Sequence, residues 1–490
     1  MKNKLIPTAL AFSLCSIVGA HAQDNLEETM QGNIDLLAEE GGEITYSSSE
    51  VGDNGAITYK DFVLNGDEEV RISTDWVTVT PASTPGSVVV TTAPVITMQV
   101  SDYDPELNYE LEITHENFTF ETNLLHGAFG RPSVDIAADM LRFNGLTEDH
   151  PIMKDLDITQ TGFTGSFHMD PNAQTVDGGW KADTVSGGYG FESEPEQLQA
   201  ATFEYDGIGV EFDVTGFNPD AEFDEFLNAG GTIDAKFNSG AGKSDTTMMT
   251  PEFSAQIVGE GGASEGFLLI EDGDLSFSTI ASGASYNVTP LSPGLPIPPF
   301  DASVGDVEFA LDMPLLASED DRDAKIVYSI LDLEVSESLW SMIDPEATLP
   351  RDAANLDIRL NAELVLNESV PDLANNGPSG NPFAAATIDN VTIEAAQIDF
   401  AGAEITAEGG VEMDNSGPFP MPLGEVNVEV NGVQTLSQKL VDLGLLDQVQ
   451  SGMAIGMMMA FGVPGDQPDQ FLSKIEFKSE GIFANGQPIQ

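Results

Sequence analysis

Gly262-Ala263-Ser264-Glu265-Gly266 has the G-x-S-x-G spacing of a nucleophile elbow. That motif holds a serine on a sharp turn between a strand and a helix, where its hydroxyl can attack an acyl carbon. Here Phe267-Leu268-Leu269-Ile270 and then Asp272-Gly273 follow, which read as a strand and a hairpin turn. The helix that the chemistry needs is missing, and chance in a chain with 48 glycines accounts for the match. Gly240-Ala241-Gly242-Lys243-Ser244 ends like a phosphate-binding loop, but Phe237 stands where that motif requires its first glycine. It reads as a Gly-Ser turn.

Beyond an N-terminal leader the histidines are His115, His126, His150 and His168, and no two stand four residues apart. The single cysteine, Cys15, lies inside the leader, so no transition-metal spacing is present. With 82 Asp and Glu residues, a glycosidase-type carboxylate pair can be drawn anywhere and identifies nothing. Calcium is the better match to such loops. Ser318-Glu319-Asp320-Asp321-Arg322-Asp323, Asp102-Tyr103-Asp104 and Asp272-Gly273-Asp274 concentrate oxygen ligands. None follows the EF-hand spacing, and solvated acidic loops are the simpler reading. The residues therefore point to a non-enzymatic protein with no catalytic residue and no cofactor.

The charge balance removes further classes. Against the 82 acids stand 17 Lys and Arg, a formal charge of −65, and Lys2 and Lys4 belong to the leader. Such a surface repels phosphate backbones and anionic headgroups, which excludes nucleic acid. A hydrophobic content of 41% still provides for a core.

Residues 1–22 have the form of a signal peptide: Lys2 and Lys4, an apolar run from Leu5 to Val18, then Ala20-His21-Ala22 for cleavage before Gln23. Leu14 precedes Cys15 where a lipidation signal needs Gly or Ala, so Cys15 is leader filling. The longest later apolar run, Met453 to Val463, is too short for a membrane helix. These features predict a periplasmic protein without a transmembrane segment in its mature form, an extracellular location being the alternative.

The elements that would position any site follow a two-residue period. Ile208, Val210, Phe212 and Val214 alternate with Gly209, Glu211 and Asp213; Phe118 to Leu124 and Val426 to Val430 repeat the pattern. Asp206-Gly207 and Asp272-Gly273 read as hairpin turns, with Asn54-Gly55, Asn65-Gly66, Asn144-Gly145, Asn431-Gly432 and Asn485-Gly486 as further turn candidates. Helical spacing appears over Asp24 to Glu40 and over Thr435 to Phe461. In the latter, Leu436, Leu440, Leu443, Leu446, Val449, Met453 and Met457 form one stripe, capped by Thr435 with Gln438 and prone to break at its glycines. The stripe reads as a face packed on the sheet, with a methionine-rich binding face as the alternative.

The expected fold is mainly β with α+β character: antiparallel, elongated, curved sheets and a few packing helices. The expected divisions are a signal peptide (1–22), an N-terminal mainly-β region with a short leading helix (23–289), a proline-rich connector (290–300) and a C-terminal β region (301–490) with helix 435–461.

Several stretches of the second half belong together. Pro293-Gly294-Leu295-Pro296 leads to Leu311-Asp312-Met313-Pro314-Leu315; Ser338-Leu339-Trp340-Ser341-Met342-Ile343-Asp344-Pro345 and Leu349-Pro350-Arg351-Asp352 follow; then come Ile398-Asp399-Phe400-Ala401-Gly402-Ala403 and Ala407-Glu408-Gly409. This order resembles the exported bacterial family catalogued as domain of unknown function 2125, most strongly over residues 290–490. The resemblance implies a periplasmic protein without an assigned activity, so it carries over no catalytic residue. It further suggests an architecture like that of the elongated AsmA-like envelope β-proteins, whose sheets curl into apolar grooves.

A short helix from Ser336 or Ser338 to Ile343, stopped by Asp344-Pro345, would bury Leu339, Trp340 and Ile343. These three residues read as a plug at a sheet end, or alternatively as the lining of a ligand mouth. The combined expectation is an envelope protein that binds an apolar, lipid-like ligand or a protein partner. A calcium-stabilised extracellular or surface interaction protein is the alternative.

Overall fold

Alternation of apolar and polar residues dominates the chain, and strand accordingly accounts for 65% of the described residues against 13% helix. The computed structural model describes residues 26–39, 42–66, 70–84, 86–101, 108–123, 133–145, 153–194, 197–218, 221–250, 253–292, 297–376, 385–417 and 420–489. The signal peptide, His126, His150 and the Asp102–Asp104 loop lie outside the described residues, as do parts of the stretches 290–300 and 371–382. The pairing between neighbouring strands is antiparallel, as the two-residue period and tight turns predict.

Two units divide the chain: Met1–Pro219 with Ala235–Ile257, and Asp220–Asp234 with Val258–Gln490. The division falls earlier than the proline-rich stretch 290–300 expected to separate two regions. The strands on either side of that stretch pair in register from Asp274↔Pro314 to Val288↔Phe300, so it lies between two paired strands of a single unit.

The first unit opens with helix α1 (Leu26–Glu39), within the expected 24–40. Strands β1 (Glu43–Thr45), β2 (Ser48–Val51), β3 (Ile57–Asn65), β4 (Val70–Pro81), β5 (Ser87–Thr92), β6 (Val95–Val100), β7 (Tyr109–Glu116) and β8 (Thr119–Asn123) follow. Leu26 packs with Ile57, Tyr59, Phe62, Leu64, Val77, Val79 and Val88 as the core of this part. The buried side of β3 switches parity at Asp61, whose φ is +49°: Ile57 and Tyr59 precede it, Phe62 and Leu64 follow. The unit continues through β9 (Ser133–Gly145), β10 (Met153–Asp170), β11 (Thr175–Glu194) and β12 (Gln197–Thr215). Helix α2 (Phe223–Asn228) and β13 (Thr232–Ser239) lead to β14 (Gly242–Met249), which pairs with β12.

Asp206-Gly207 is not a hairpin turn. β12 continues past it because β11 pairs on either side of the glycine, at Thr184↔Asp206 and Ala182↔Ile208, and Gly207 absorbs the kink at φ +62°. Asp272-Gly273 does turn the chain, with φ of +53° and +76°, and Asn485-Gly486 repeats the geometry at +50° and +77°.

After β15 (Ser254–Gly261), the second unit builds β16 (Ser264–Glu271), β17 (Asp274–Pro290), β18 (Phe300–Pro314), β19 (Arg322–Val335), helix α3 (Glu337–Ile343) and β20 (Ala354–Leu366). Next come helix α4 (Val370–Asn376), β21 (Ala386–Phe400), β22 (Ala403–Asp414) and β23 (Met421–Asn431). The single helix expected over 435–461 is two helices, α5 (Val433–Asp442) and α6 (Gln448–Phe461), with Gly444 at φ +73° between them. The cap also differs. The Gln434 and Thr435 amides donate to the Asp469 carboxylate at 3.1 and 2.7 Å, so the capping acid comes from 34 residues away. Strands β24 (Val463–Pro464), β25 (Gln470–Lys478), β26 (Gly481–Ala484) and β27 (Gln487–Pro488) complete the chain.

Candidate functional site: an exposed apolar sheet face and the tryptophan knot at its end

Directly opposed residues of an antiparallel pair share a face, so the register of the second unit shows what each face carries. Leu311 of β18 opposes Ile326 of β19, which opposes Leu360 of β20 and through it Ile393 of β21. The next row on the same face is Phe309, Tyr328, Ile358 and Ala396, and the third is Val307, Ile330, Leu356 and Ile398. The rows continue across β22 and β23 through Ile405 to Val430 and Ala407 to Val428. The opposite face carries Asp312, Lys325, Asn361 and Thr392 in one row, and Glu308, Ser329 and Asp357 in another. Arg359 lies on that polar face, pairing with Asp357 at 3.0 Å and Glu308 at 3.2 Å.

An apolar sheet face is ordinarily covered. This one is not: exposure is 38% at Ile326 and Ile405, 40% at Tyr328 and 47% at Ile398. Together these residues form a continuous apolar patch accessible from solvent, of the kind that marks a binding surface.

One end of this face is closed. β19 finishes at Val335, β21 at Phe400 and β23 at Asn431, and the segments following them converge there. Helix α3 starts from Ser336, whose Oγ accepts from Asp301 N at 2.9 Å while Ser338 Oγ donates to Pro299 O at 3.0 Å. Trp340 is buried with Leu349 and Ala401, and Leu436 and Leu440 of α5, with Leu443 at its C-cap, pack against the group. The indole stacks with Phe400 at 6.4 Å and 23°, and the Arg351 guanidinium lies over the indole at 5.8 Å.

Asp344, which ends α3, is fully buried. Its Oδ1 accepts from Thr348 N at 3.0 Å and Thr348 Oγ1 at 2.9 Å, and its Oδ2 accepts from Leu349 N at 2.7 Å. Burial pushes the carboxyl up, but the hydrogen bonds from Leu349 and Thr348 and the Arg351 charge outweigh it and hold it below the ordinary range. Arg351 Nη2 also donates to the Asp344 carbonyl at 2.9 Å and Arg351 pairs with Glu337. Residues 337–351 thus tie themselves into a knot. Of the three residues singled out in the sequence, Trp340 lies at the centre of this packing while Leu339 and Ile343 are half-buried beside it. Asp344 and Arg351 carry the polar half; the sequence marked Asp344 as a helix stop before Pro345, but it marked neither residue as part of a buried polar network.

The first unit has its own apolar face. Ile136, Gly165, Trp180 and Val210 form one row across β9–β12, and Val134, Phe167, Gly178 and Phe212 form the next. A cavity of about 830 Å³ is lined by Ile136, Gly165, Trp180, Val210 and Phe212 among others. Trp180 stacks with Phe163 at 6.4 Å, and Tyr189, Phe203 and Tyr205 continue an aromatic run.

The chemical motifs behave as spacers. Ser264 opens strand β16 with no helix after it, and Lys243 sits in β14 opposite Glu204. His115 is buried beside Thr92 Oγ1 at 2.7 Å and burial lowers its pKa, whereas the exposed His168 pairs with Asp177 at 3.1 Å. In the acidic loops, Asp274 is paired with Arg322, and Asp321 is raised by a hydrogen bond and repulsion from Asp389. Among the described residues, no group of three or more His, Cys, Asp or Glu is placed to hold a metal ion. Among the described residues, no helix is long and apolar enough to cross a membrane.

The second unit is therefore an antiparallel sheet with one apolar face exposed and one end closed by short helices. Residues 268–482, which lie within it, match the model of the family described as "Uncharacterized protein conserved in bacteria (DUF2125)". The Trp340–Arg351 knot falls inside that match. No curated protein and no solved structure matches the chain.

Proposed function

We propose that this is a non-enzymatic protein of the bacterial envelope that holds an apolar, lipid-like ligand along the exposed face of β18–β23. The carrying observation is the alignment of Ile326, Tyr328, Ile398 and Ile405 on one face, exposed, while the charges of the same strands occupy the other. Burying that surface against acyl chains is favourable by roughly 25 cal/mol per Å². The signal-peptide-like leader supports a periplasmic location, and an AsmA-like architecture, which the family resemblance suggested, would supply a groove by analogy. Trp340 serves this reading as the plug that closes one end of the face.

Purification from the native periplasm followed by native mass spectrometry tests the proposal. A co-purifying lipid mass is expected, lost in a Tyr328→Glu/Ile398→Glu variant that still folds. A wild-type chain that carries no such mass and takes up no fluorescent fatty acid would overturn it. A melting temperature that climbs with calcium instead would favour a calcium-stabilised interaction protein.

A further inference from the structure

Helix α6 is an apolar surface that the ligand face does not use. Its 14 residues, QVQSGMAIGMMMAF, carry no charge in a chain that is 20% charged. Of its side chains, Ser451 is buried, held by Ser437 Oγ of α5 at 2.7 Å. Val449, Met453, Met457 and Met459 are 58–71% exposed. Space is open to 4 Å around the positions where Gly452 and Gly456 would carry side chains. The C-terminal end of the helix touches the sheet, where the Phe461 carbonyl accepts from Ser473 Oγ at 2.6 Å and Asn485 Nδ2 at 2.8 Å. The stripe that suggested packing on the sheet is nevertheless exposed, and the helix is not amphipathic.

Its surroundings are acidic. From Val433 to Asp469 the charged residues are Asp442, Asp447, Asp466 and Asp469 against Lys439 alone, within a chain of net charge −65. That field discriminates among occupants. A second copy brings the same charge, and a 14-residue helix spans about 21 Å, too short a strip for the ~800 Å² per partner of a stable dimer. Anionic bilayers are repelled, and helices that lie in membrane interfaces rely on Lys and Arg that α6 lacks. A cationic amphipathic helix satisfies both features. Methionines adapt to its apolar stripe, and its basic flanks meet the acids at the two ends of α6.

We propose that α6 is the docking site for a basic amphipathic helix of a partner protein, seated on Val449, Met453 and Met457 and steered by Asp442, Asp447 and Asp466. This stands apart from the ligand reading.

The test is calorimetric titration of the full chain with an amphipathic helical peptide of Leu and Lys, and with a scrambled peptide of identical composition. The amphipathic peptide should bind at least about tenfold tighter than the scrambled one, and more weakly as salt rises. A Met453→Gln/Met457→Gln variant should lose roughly tenfold for the amphipathic peptide alone, with an unchanged melting temperature. Val449→Gln provides a second exposed substitution. Equal binding of both peptides, or indifference to these substitutions, overturns the proposal. So does an α6-dependent dimer in light scattering, or α6-dependent flotation with phosphatidylcholine vesicles, since either assigns the helix to another occupant. These substitutions leave Tyr328 and Ile398 intact, so native mass spectrometry of the same variants separates this failure from that of the ligand reading.

Discussion

The guanidinium of Arg351 lies 5.8 Å over the indole of Trp340, eleven residues before it in the chain. Phe400 stacks on the same indole, so a helix, a loop and a strand end are joined through one side chain. Trp340→Ala should therefore cost about 3–5 kcal/mol by denaturant titration, because the neighbours are held by strands and cannot close the cavity. Arg351→Lys should lower the melting temperature more than Lys→Arg at exposed Lys181, since an ammonium cannot reproduce the planar contact with the indole and Glu337 together.

The buried Asp344 carboxylate predicts acid sensitivity. Its folded pKa lies below the ordinary 3.8 despite the upward push of burial, so the stability it contributes is present above pH 3.8 and lost as pH falls through the folded value. Urea midpoints measured downward from pH 5 should fall less steeply in Asp344→Asn than in wild type. Identical slopes would mean that the hydrogen bonds from Thr348 and Leu349 do not favour the charged form.

Tyr59 gives the alkaline counterpart. Burial first, then the neighbouring Tyr46 and Glu27, push its hydroxyl up to about 12. The sign is opposite: its contribution is complete below the ordinary value of 10 and disappears as pH rises toward 12. Ultraviolet titration should show a late-ionising tyrosine that Tyr59→Phe removes, leaving Tyr109, which burial also raises, together with weaker alkaline destabilisation in the variant.

The Ser437–Ser451 pair tethers α6 to α5 through two buried hydroxyls. Ser451→Ala leaves Ser437 without this partner and should cost about 1–3 kcal/mol, while the double Ser437→Ala/Ser451→Ala change should cost less than the two single changes added together. Hydrogen exchange in α6 should accelerate in the single variant. An additive double variant would show that the hydroxyls act separately.

The parts legible in the sequence are those governed by neighbours along the chain. Alternation in Val426–Val430 and the positive φ that Asp272-Gly273 accepts are local properties, and both appear where expected. The end of α3 at Asp344-Pro345 is likewise local, because the residue before proline is pushed out of helical backbone. Asp206-Gly207 failed as a turn for a non-local reason: the neighbouring strand β11 pairs with β12 on both sides of it.

The same distinction separates the two halves of the Leu436–Met457 stripe. Helical spacing places these residues along one side of a helix, but the break at Gly444 sends Leu436, Leu440 and Leu443 to Trp340 and leaves Val449, Met453 and Met457 in water. What the sequence by itself determined is the antiparallel β class, the turns with their own φ requirements and the strongly acidic charge. Only the tertiary structure decided that Ile326, Leu360 and Ile393 share a row, that Ile326 in it is exposed, and that Asp344 is buried against Thr348 and Leu349. Periodicity is a property of one strand, whereas register and burial depend on which distant strand lies alongside, and a one-residue slip would exchange the faces.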